Sequence, residues 1–291
     1  MKDRPAKDRR PEDRQMQRRG RKRRGAELAL NALMFVFLYA PLLVMVFFSF
    51  NASKSTSVFS GFSLYWYGEV FSSSDTMTAL RNTLILALLS ATVATVMGTM
   101  AAVGIQRMRS RLLSQTVMTV TNIPMMNPDI VTGVSLMLLF VFIGRFLGLS
   151  TSLSFWTLLI AHITFNLPYV ILNVLPKLRQ TDRHLTDAAM DLGCTRRQAF
   201  FKVVLPAIRP GIASGWLMAF TLSLDDFVIS YYTNGADFQT LPLKIFAMTK
   251  KTVKPDMYAL SSLIFVTILL LLTLSNFLQQ RSEKNTKGAD Q

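Results

Sequence analysis

The sequence predicts an all-α integral membrane protein with six transmembrane helices, and three observations carry that prediction. Of 291 residues, 51% are hydrophobic and only 17% charged, against about a quarter charged in an average soluble domain. Mean hydropathy is +0.33. The apolar residues come in uncharged blocks longer than about 18 residues, the length that reads as a membrane span rather than a core helix. The basic residues, finally, gather on one side of a six-span arrangement. These features argue against a soluble enzyme.

The first segment, Leu28 to Phe50, is 23 residues without a charge. At 1.5 Å per residue it reaches about 35 Å, enough to cross a hydrocarbon core of about 30 Å. It is too long for a signal-peptide core and lacks a small-residue cleavage site. The second runs from Asn82 to Gln106 and carries Ala94, Gly98 and Ala102, a spacing that lets another helix approach closely. The third, Leu112 to Gly144, is too long for one straight span and predicts breaks at Asn122-Ile123-Pro124 and at Asn127-Pro128-Asp129, where proline removes a helix donor. The fourth, Leu153 to Pro176, holds His162, Asn166 and Pro168. The fifth, Gly211 to Tyr232, contains Asp225-Asp226, and the sixth, Ala259 to Gln279, is leucine-rich.

The net charge of +15, from 32 Lys+Arg against 17 Asp+Glu, first suggests nucleic acid. Six spans place both termini on one side, however, and that side holds 25 of the basic residues against seven opposite. The asymmetry orients both ends toward the cytoplasm and accounts for the charge without nucleic acid. Residues 1–26 read as a disordered basic cytoplasmic arm. Its run Arg18-Arg19-Gly20-Arg21-Lys22-Arg23-Arg24 reads as an anchor held by anionic lipid. Residues 281–291 form a cytoplasmic tail. The one cysteine, Cys194, permits no intrachain disulfide, and His162 and His184 lack partners at metal-ligand spacing, so no metal site is expected.

The loop between the fourth and fifth spans, residues 182–206, is the most informative stretch. Leu185, Ala188, Ala189 and Leu192 fall at i, i+3, i+4 and i+7, the stripe of a short amphipathic helix. Gly193 is expected to end it at positive φ. Thr195 with Gln198 makes a capping-box pattern for a second helix, expected to stop at Leu205-Pro206. By geometry alone this is either a hairpin linking two spans or a docking element for another protein.

The same residues carry a resemblance. Asp187-Ala188-Ala189, Gly193, Val203 and Leu205-Pro206 resemble the EAA loop of ABC importer permeases at its full spacing, with Asp for Glu and Val for Ile. Pro128-Asp129-Ile130-Val131, His162-Ile163-Thr164-Phe165, Phe220 to Asp226 and Leu241-Pro242-Leu243-Lys244-Ile245 are similar to the spermidine/putrescine importer permeases, in particular the C-type member of the permease pair. Phe48 to Lys54 shares the likeness. The basic extension lies outside the usual pattern.

The resemblance implies a type I ABC importer permease fold in a bacterial cytoplasmic membrane. It also implies a second related permease chain, two ATPase subunits docking on residues 182–206, and an extracytoplasmic polyamine-binding protein. The chain has no Gly-x-x-x-x-Gly-Lys-[Ser/Thr] phosphate loop, so ATP and Mg are expected on the partner ATPases and no cofactor or catalytic residue in this chain. A secondary transporter or channel would have no reason to carry the EAA spacing and would commonly show repeated halves. An intramembrane serine enzyme is weaker still: Ser214 is not set in Gly-x-Ser-x-Gly and reads as a helix-packing residue. For the substrate pathway the candidates are Asp225 and Asp226, read as carboxylates inside the fifth span. Trp216, Tyr231 and Tyr232 are their aromatic neighbours in this reading. Asp129 either adds a negative charge or caps the helix that restarts there.

Overall fold

The computed structural model describes residues 11–53, 58–148, 153–182, 184–250 and 255–288. Six of its helices are long and apolar enough to cross a membrane. The first is α1 (Pro11–Phe48), whose apolar stretch is Leu30–Phe48. The sequence reading expected a disordered arm over 1–26, yet the backbone is helical from Pro11 onward. Pro11 opens the helix with Glu12 and Asp13 in its first turn, and the Arg, Lys and Gln that follow are good helix formers. Residues 1–10, and Lys54 in the motif before the second helix, lie outside the described residues.

A short helix α2 (Tyr65–Ser72) leads into α3 (Ser74–Arg107). The second span therefore starts at Ser74 rather than Asn82. The Ser73 hydroxyl accepts from the Thr76 N–H at 3.3 Å, and Asp75 complements the helix dipole. The expected start was set by the charge at Arg81, although the cap lies upstream of it.

The long third segment divides into α4 (Arg111–Met126) and α5 (Asp129–Phe146). The break falls at Asn127-Pro128, both extended (ψ 143° and 136°). The break expected at Asn122-Ile123-Pro124 is absent, because α4 passes through Pro124. That proline sits in the last turn, where one lost donor interrupts little of the ladder. Next comes α6 (Phe155–Gln180), which runs through both Pro168 and Pro176.

The core is a three-helix centre of α3, α6 and α9 (Leu205–Asp225), the last reached through elements described below. Ala91, Ala94 and Ala102 of α3, Val170, Ile171 and Val174 of α6, and Ile208 and Ala219 of α9 are all buried in it. Between membrane helices, where lipid is as apolar as leucine, small residues permit the backbone approach that dispersion needs. Gly98 shows how close that is: a Cβ there would stand 2.7 Å from Val170 Cγ1. Gly98→Leu is expected to lower the thermal stability of the detergent-solubilised protein by about 1–3 kcal/mol. An unchanged melting temperature would show that α3 and α6 can separate freely. Ser214 donates to Asn173 Oδ1 at 3.0 Å, the helix-contact role read from sequence.

Beyond α9 lie α10 (Val228–Thr233), α11 (Leu241–Thr249) and α12 (Pro255–Gly288). The loop between α10 and α11 is pinned to α3 by Asn82 Nδ2 donating to the Gln239 carbonyl and by Leu241 N–H donating to Thr83 Oγ1.

Candidate functional site: a coupling hairpin and a carboxylate elbow

The hairpin forms as its spacing predicts. Helix α7 (His184–Asp191) ends at Gly193, whose φ is +87°. Gly193 N–H donates to the Met190 carbonyl at 2.9 Å and Cys194 N–H to the Ala189 carbonyl at 3.0 Å, the paired bonds of a Schellman ending. Thr195 then caps α8 (Arg196–Ala199) reciprocally. Its hydroxyl accepts from Gln198 N–H at 3.3 Å, and Gln198 Oε1 accepts from Thr195 N–H at 2.9 Å.

The apolar stripe of α7 is largely uncovered. Ala189 is buried, but Leu192 is 87% exposed and Leu185 40%; Asp187 and Ala188 are exposed as well. A single chain leaves this surface unfilled.

The expected stop at Leu205-Pro206 is not there. The helix continues from α8 through a π-turn, Phe200–Val204, directly into α9. Leu205 N–H reaches the Phe200 carbonyl, five residues back. The wider turn re-routes the ladder just where Pro206 supplies no donor. Val203, Leu205 and Pro206 thus lie at the junction between hairpin and span, with Leu205 packed on the central core. The hairpin and α9 are thereby joined by continuous helix.

The fifth segment is not one span. Helix α9 ends at Asp225, Asp226 is extended (ψ 121°), and α10 restarts at Val228. The aspartates thus occupy an elbow, a correction to the reading that placed them inside an unbroken helix. The reason lies in Asp226: its carboxylate accepts from Ile229 N–H at 3.3 Å and from Ser230 N–H at 2.8 Å, capping a new helix rather than continuing the old one.

Asp226 also terminates a buried polar chain that the sequence reading missed. Its Oδ2 accepts from Ser230 Oγ at 2.9 Å and lies 3.4 Å from His162 Nε2. Because Ser230 gives its proton to the carboxylate, it must accept from His162 Nε2 at 3.0 Å. His162 Nδ1 lies 3.1 Å from Ser223 Oγ. Ser223 Oγ accepts from Asn166 Nδ2 at 2.8 Å and is hydrogen-bonded to Ser90 Oγ at 2.9 Å. The acceptor-only carboxylate at one end thereby makes Ser230 a donor and places a proton on His162 Nε2. The chain ties α3, α6, α9 and α10 together. The available signal was His162 and Asn166 one turn apart inside a span, since polar residues there call for a named partner.

Asp225, by contrast, is exposed. Tyr231, half exposed, stands with Phe227 and Phe246 in one ring cluster, the Phe227 and Phe246 centroids being 4.4 Å apart. Tyr232 packs on α5 at Gly133, one helical turn from Asp129, which is exposed in the first turn of α5. The structure does not bring Trp216 to the carboxylates. It lies about 14 Å down α9 from Asp225 at 1.5 Å per residue, stacked on Phe220 and donating to Thr92 of α3.

Six helices long and apolar enough to cross a membrane, with a helical hairpin leading into the fifth, define a multi-span membrane protein. The chain belongs to the family of binding-protein-dependent transport system inner membrane components, whose profile matches residues 94–288. It is a multi-pass protein of the inner membrane. It is 40% identical over 250 residues to the putrescine transport system permease protein PotI of Escherichia coli K12, covering 86% of this chain and 89% of that one. To the spermidine/putrescine transport system permease protein PotC of Haemophilus influenzae it is 38% identical over 255 residues, covering 87% and 96%. In fold it resembles a chain of a bacterial ABC transporter that imports the acidic polysaccharide alginate (TM-score 0.68, 16% identity, 93% of this chain and 99% of that). A chain of an amino acid ABC transporter is a further neighbour (TM-score 0.53, 20% identity, 75% and 96%).

Proposed function

We propose that this chain is the C-type permease of an ATP-driven polyamine importer and forms half of the path for spermidine or putrescine. What carries the reading is its likeness, at 35–40% identity over nearly nine-tenths of its length, to permeases named for those two substrates. The site chemistry agrees: a flexible polycation is suited by an exposed carboxylate and aromatic side chains in one stretch, and Asp225, Phe227 and Tyr231 follow one another at the elbow. Asp129 adds charge from the restart of α5. Trp216 belongs to a lower level of the same route.

Residues 27–280 form the permease unit, with arm and tail on the cytoplasmic side. A second related permease completes the pathway. Two ATPase chains holding ATP and Mg dock on residues 182–206, and an extracytoplasmic binding protein delivers substrate. The chain itself catalyses nothing. Asp187, Ala188 and Gly193 form the docking surface over buried Ala189, and Val203, Leu205 and Pro206 pass its movement to α9.

Uptake of radiolabelled putrescine into proteoliposomes of the purified complex, with spermidine and neutral solutes as competitors, tests the substrate. Competition by polyamines alone supports it; competition by an unrelated solute shows a different cargo. A membrane complex that lacks any ATPase chain would instead favour a secondary transporter.

Orientation has its own check. A cysteine replacing exposed Ser74 is expected to react with a membrane-impermeant thiol reagent in intact cells, and Cys194 to react only after the membrane is opened. Labelling of Cys194 from outside would invert the arrangement.

A further inference from the structure

A cavity of about 910 Å³ lies between α3 and the base of the hairpin. Its α3 wall is formed by Val96, Met100 and Gly104, and the opposite wall by Phe200, Phe201 and Ile212. Val96, Met100 and Phe201 are 57%, 69% and 63% exposed, so the groove opens on the outer face of this chain rather than into its own bundle. One end carries Arg107, Arg196 and Arg197. Among the described residues none of these three has a carboxylate within 4.0 Å. Arg107 lies over the Phe200 ring at 6.0 Å. Arg107 and Arg196 also border a smaller cavity of about 310 Å³ that includes Asp182 and Asp187, whereas Arg197 borders the large one alone.

The dimensions fit one kind of occupant. From Thr95, at the deep end, to Arg107, the α3 wall rises about 18 Å, against about 15 Å for one leaflet of a hydrocarbon core. The arginines therefore stand where the leaflet's headgroups lie. Thr95, buried, and Thr99 line the deep part, and neither hydroxyl has a hydrogen-bond partner. Basic pockets between membrane helices are matched by anionic lipid headgroups.

We propose that this groove binds an anionic phospholipid of the phosphatidylglycerol type, its phosphate held by Arg107, Arg196 and Arg197 and an acyl chain lying along α3. Because Arg196 and Arg197 open α8, the lipid joins the hairpin to α3 and stiffens the base through which α9 is driven. This goes beyond transport of a substrate: it makes the coupling element sensitive to membrane composition.

The test is retention of added palmitoyl-oleoyl phosphatidylglycerol, against the phosphatidylcholine of the same chains, by the detergent-purified complex in native mass spectrometry. This reading does not depend on which substrate is carried. Each basic residue near the surface contributes about fivefold in affinity, so Arg107→Gln/Arg196→Gln/Arg197→Gln is expected to weaken phosphatidylglycerol binding on the order of a hundredfold. Gly104→Leu fills the groove with the arginines intact. A Cβ at Gly104 meets nothing within 4 Å, so the backbone has room for a side chain there, and the variant is expected to keep the parent melting temperature and lose the same lipid. Equal retention of the two lipids by the parent complex overturns the proposal. So does an effect of the arginine variant without one of Gly104→Leu, or the reverse. Efficient disulfide capture of Gly104→Cys by a cysteine in the second permease also overturns it, by showing that protein fills the groove.

Discussion

Gly193→Val is expected to abolish most substrate-stimulated ATP hydrolysis and uptake while leaving the chain inserted and paired. The expected cause is purely a backbone one. At φ +87° a β-branched residue is held in a region it rarely enters, at a cost of about 1–3 kcal/mol. Space is not at issue, since a Cβ at this position meets nothing within 4 Å. The two bonds from Gly193 and Cys194 back to Met190 and Ala189 depend on that conformation. Losing them turns α7 away from α8. A penalty of that size lowers the population of the native hairpin about 5–150-fold, and coupling falls with it. Gly193→Asn, similar in size but tolerant of positive φ, is expected to keep most of the activity. Stimulated hydrolysis by the reconstituted complex reads both variants. If the Gly193→Val and Gly193→Asn complexes couple equally well, the hairpin geometry is not what transmits the ATPase movement.

The second large effect separates two neighbouring carboxylates. Asp226→Ala removes the acceptor at the start of α10 and leaves Ser230 and His162 without the group that orders them. A lost cap plus a buried donor without a partner comes to about 2–4 kcal/mol, seen as a lower melting temperature of the purified protein. Asp225→Asn touches none of that chain. Its stability should stay within about 0.5 kcal/mol, while kcat/KM for polyamine uptake falls by about tenfold or more, the worth of a hydrogen bond to a charged group. Equal destabilisation by both substitutions would show that the elbow is one structural unit. Normal uptake by the Asp225→Asn variant would remove that residue from the pathway.

The contrast between these two sites follows from the distance over which each is specified. The hairpin was legible because its determinants are local. Gly193 needs only its own φ and the carbonyls of the preceding turn, and Thr195 needs only Gln198 three residues on. The six spans were legible for the same kind of reason, since bilayer thickness imposes a length and the absence of water forbids long charged runs. Ala94, Gly98 and Ala102 announced a close helix contact by spacing alone, though not that Val170 would fill it. Local rules failed where two of them competed. Proline at Leu205-Pro206 promised a stop, and the π-turn at Phe200–Val204 absorbed it. The charge at Arg81 promised a boundary, and the Ser73 cap overrode it.

By itself, then, the sequence determined that this is a helical membrane protein with an amphipathic hairpin before its fifth span, because periodicity, caps and transfer energies act within a few turns. Only the tertiary structure decided what Asp225 and Asp226 are. Asp226 is committed to the elbow because His162 and Ser223, 61 residues apart in the chain, meet there with Ser230, and its carboxylate accepts three hydrogen bonds from Ile229 and Ser230 at the start of α10. Asp225 beside it is left exposed. Two adjacent aspartates are equivalent to any rule that reads composition and spacing. They become different only when folding sets Asp226 against Ile229, Ser230 and His162 and leaves Asp225 exposed.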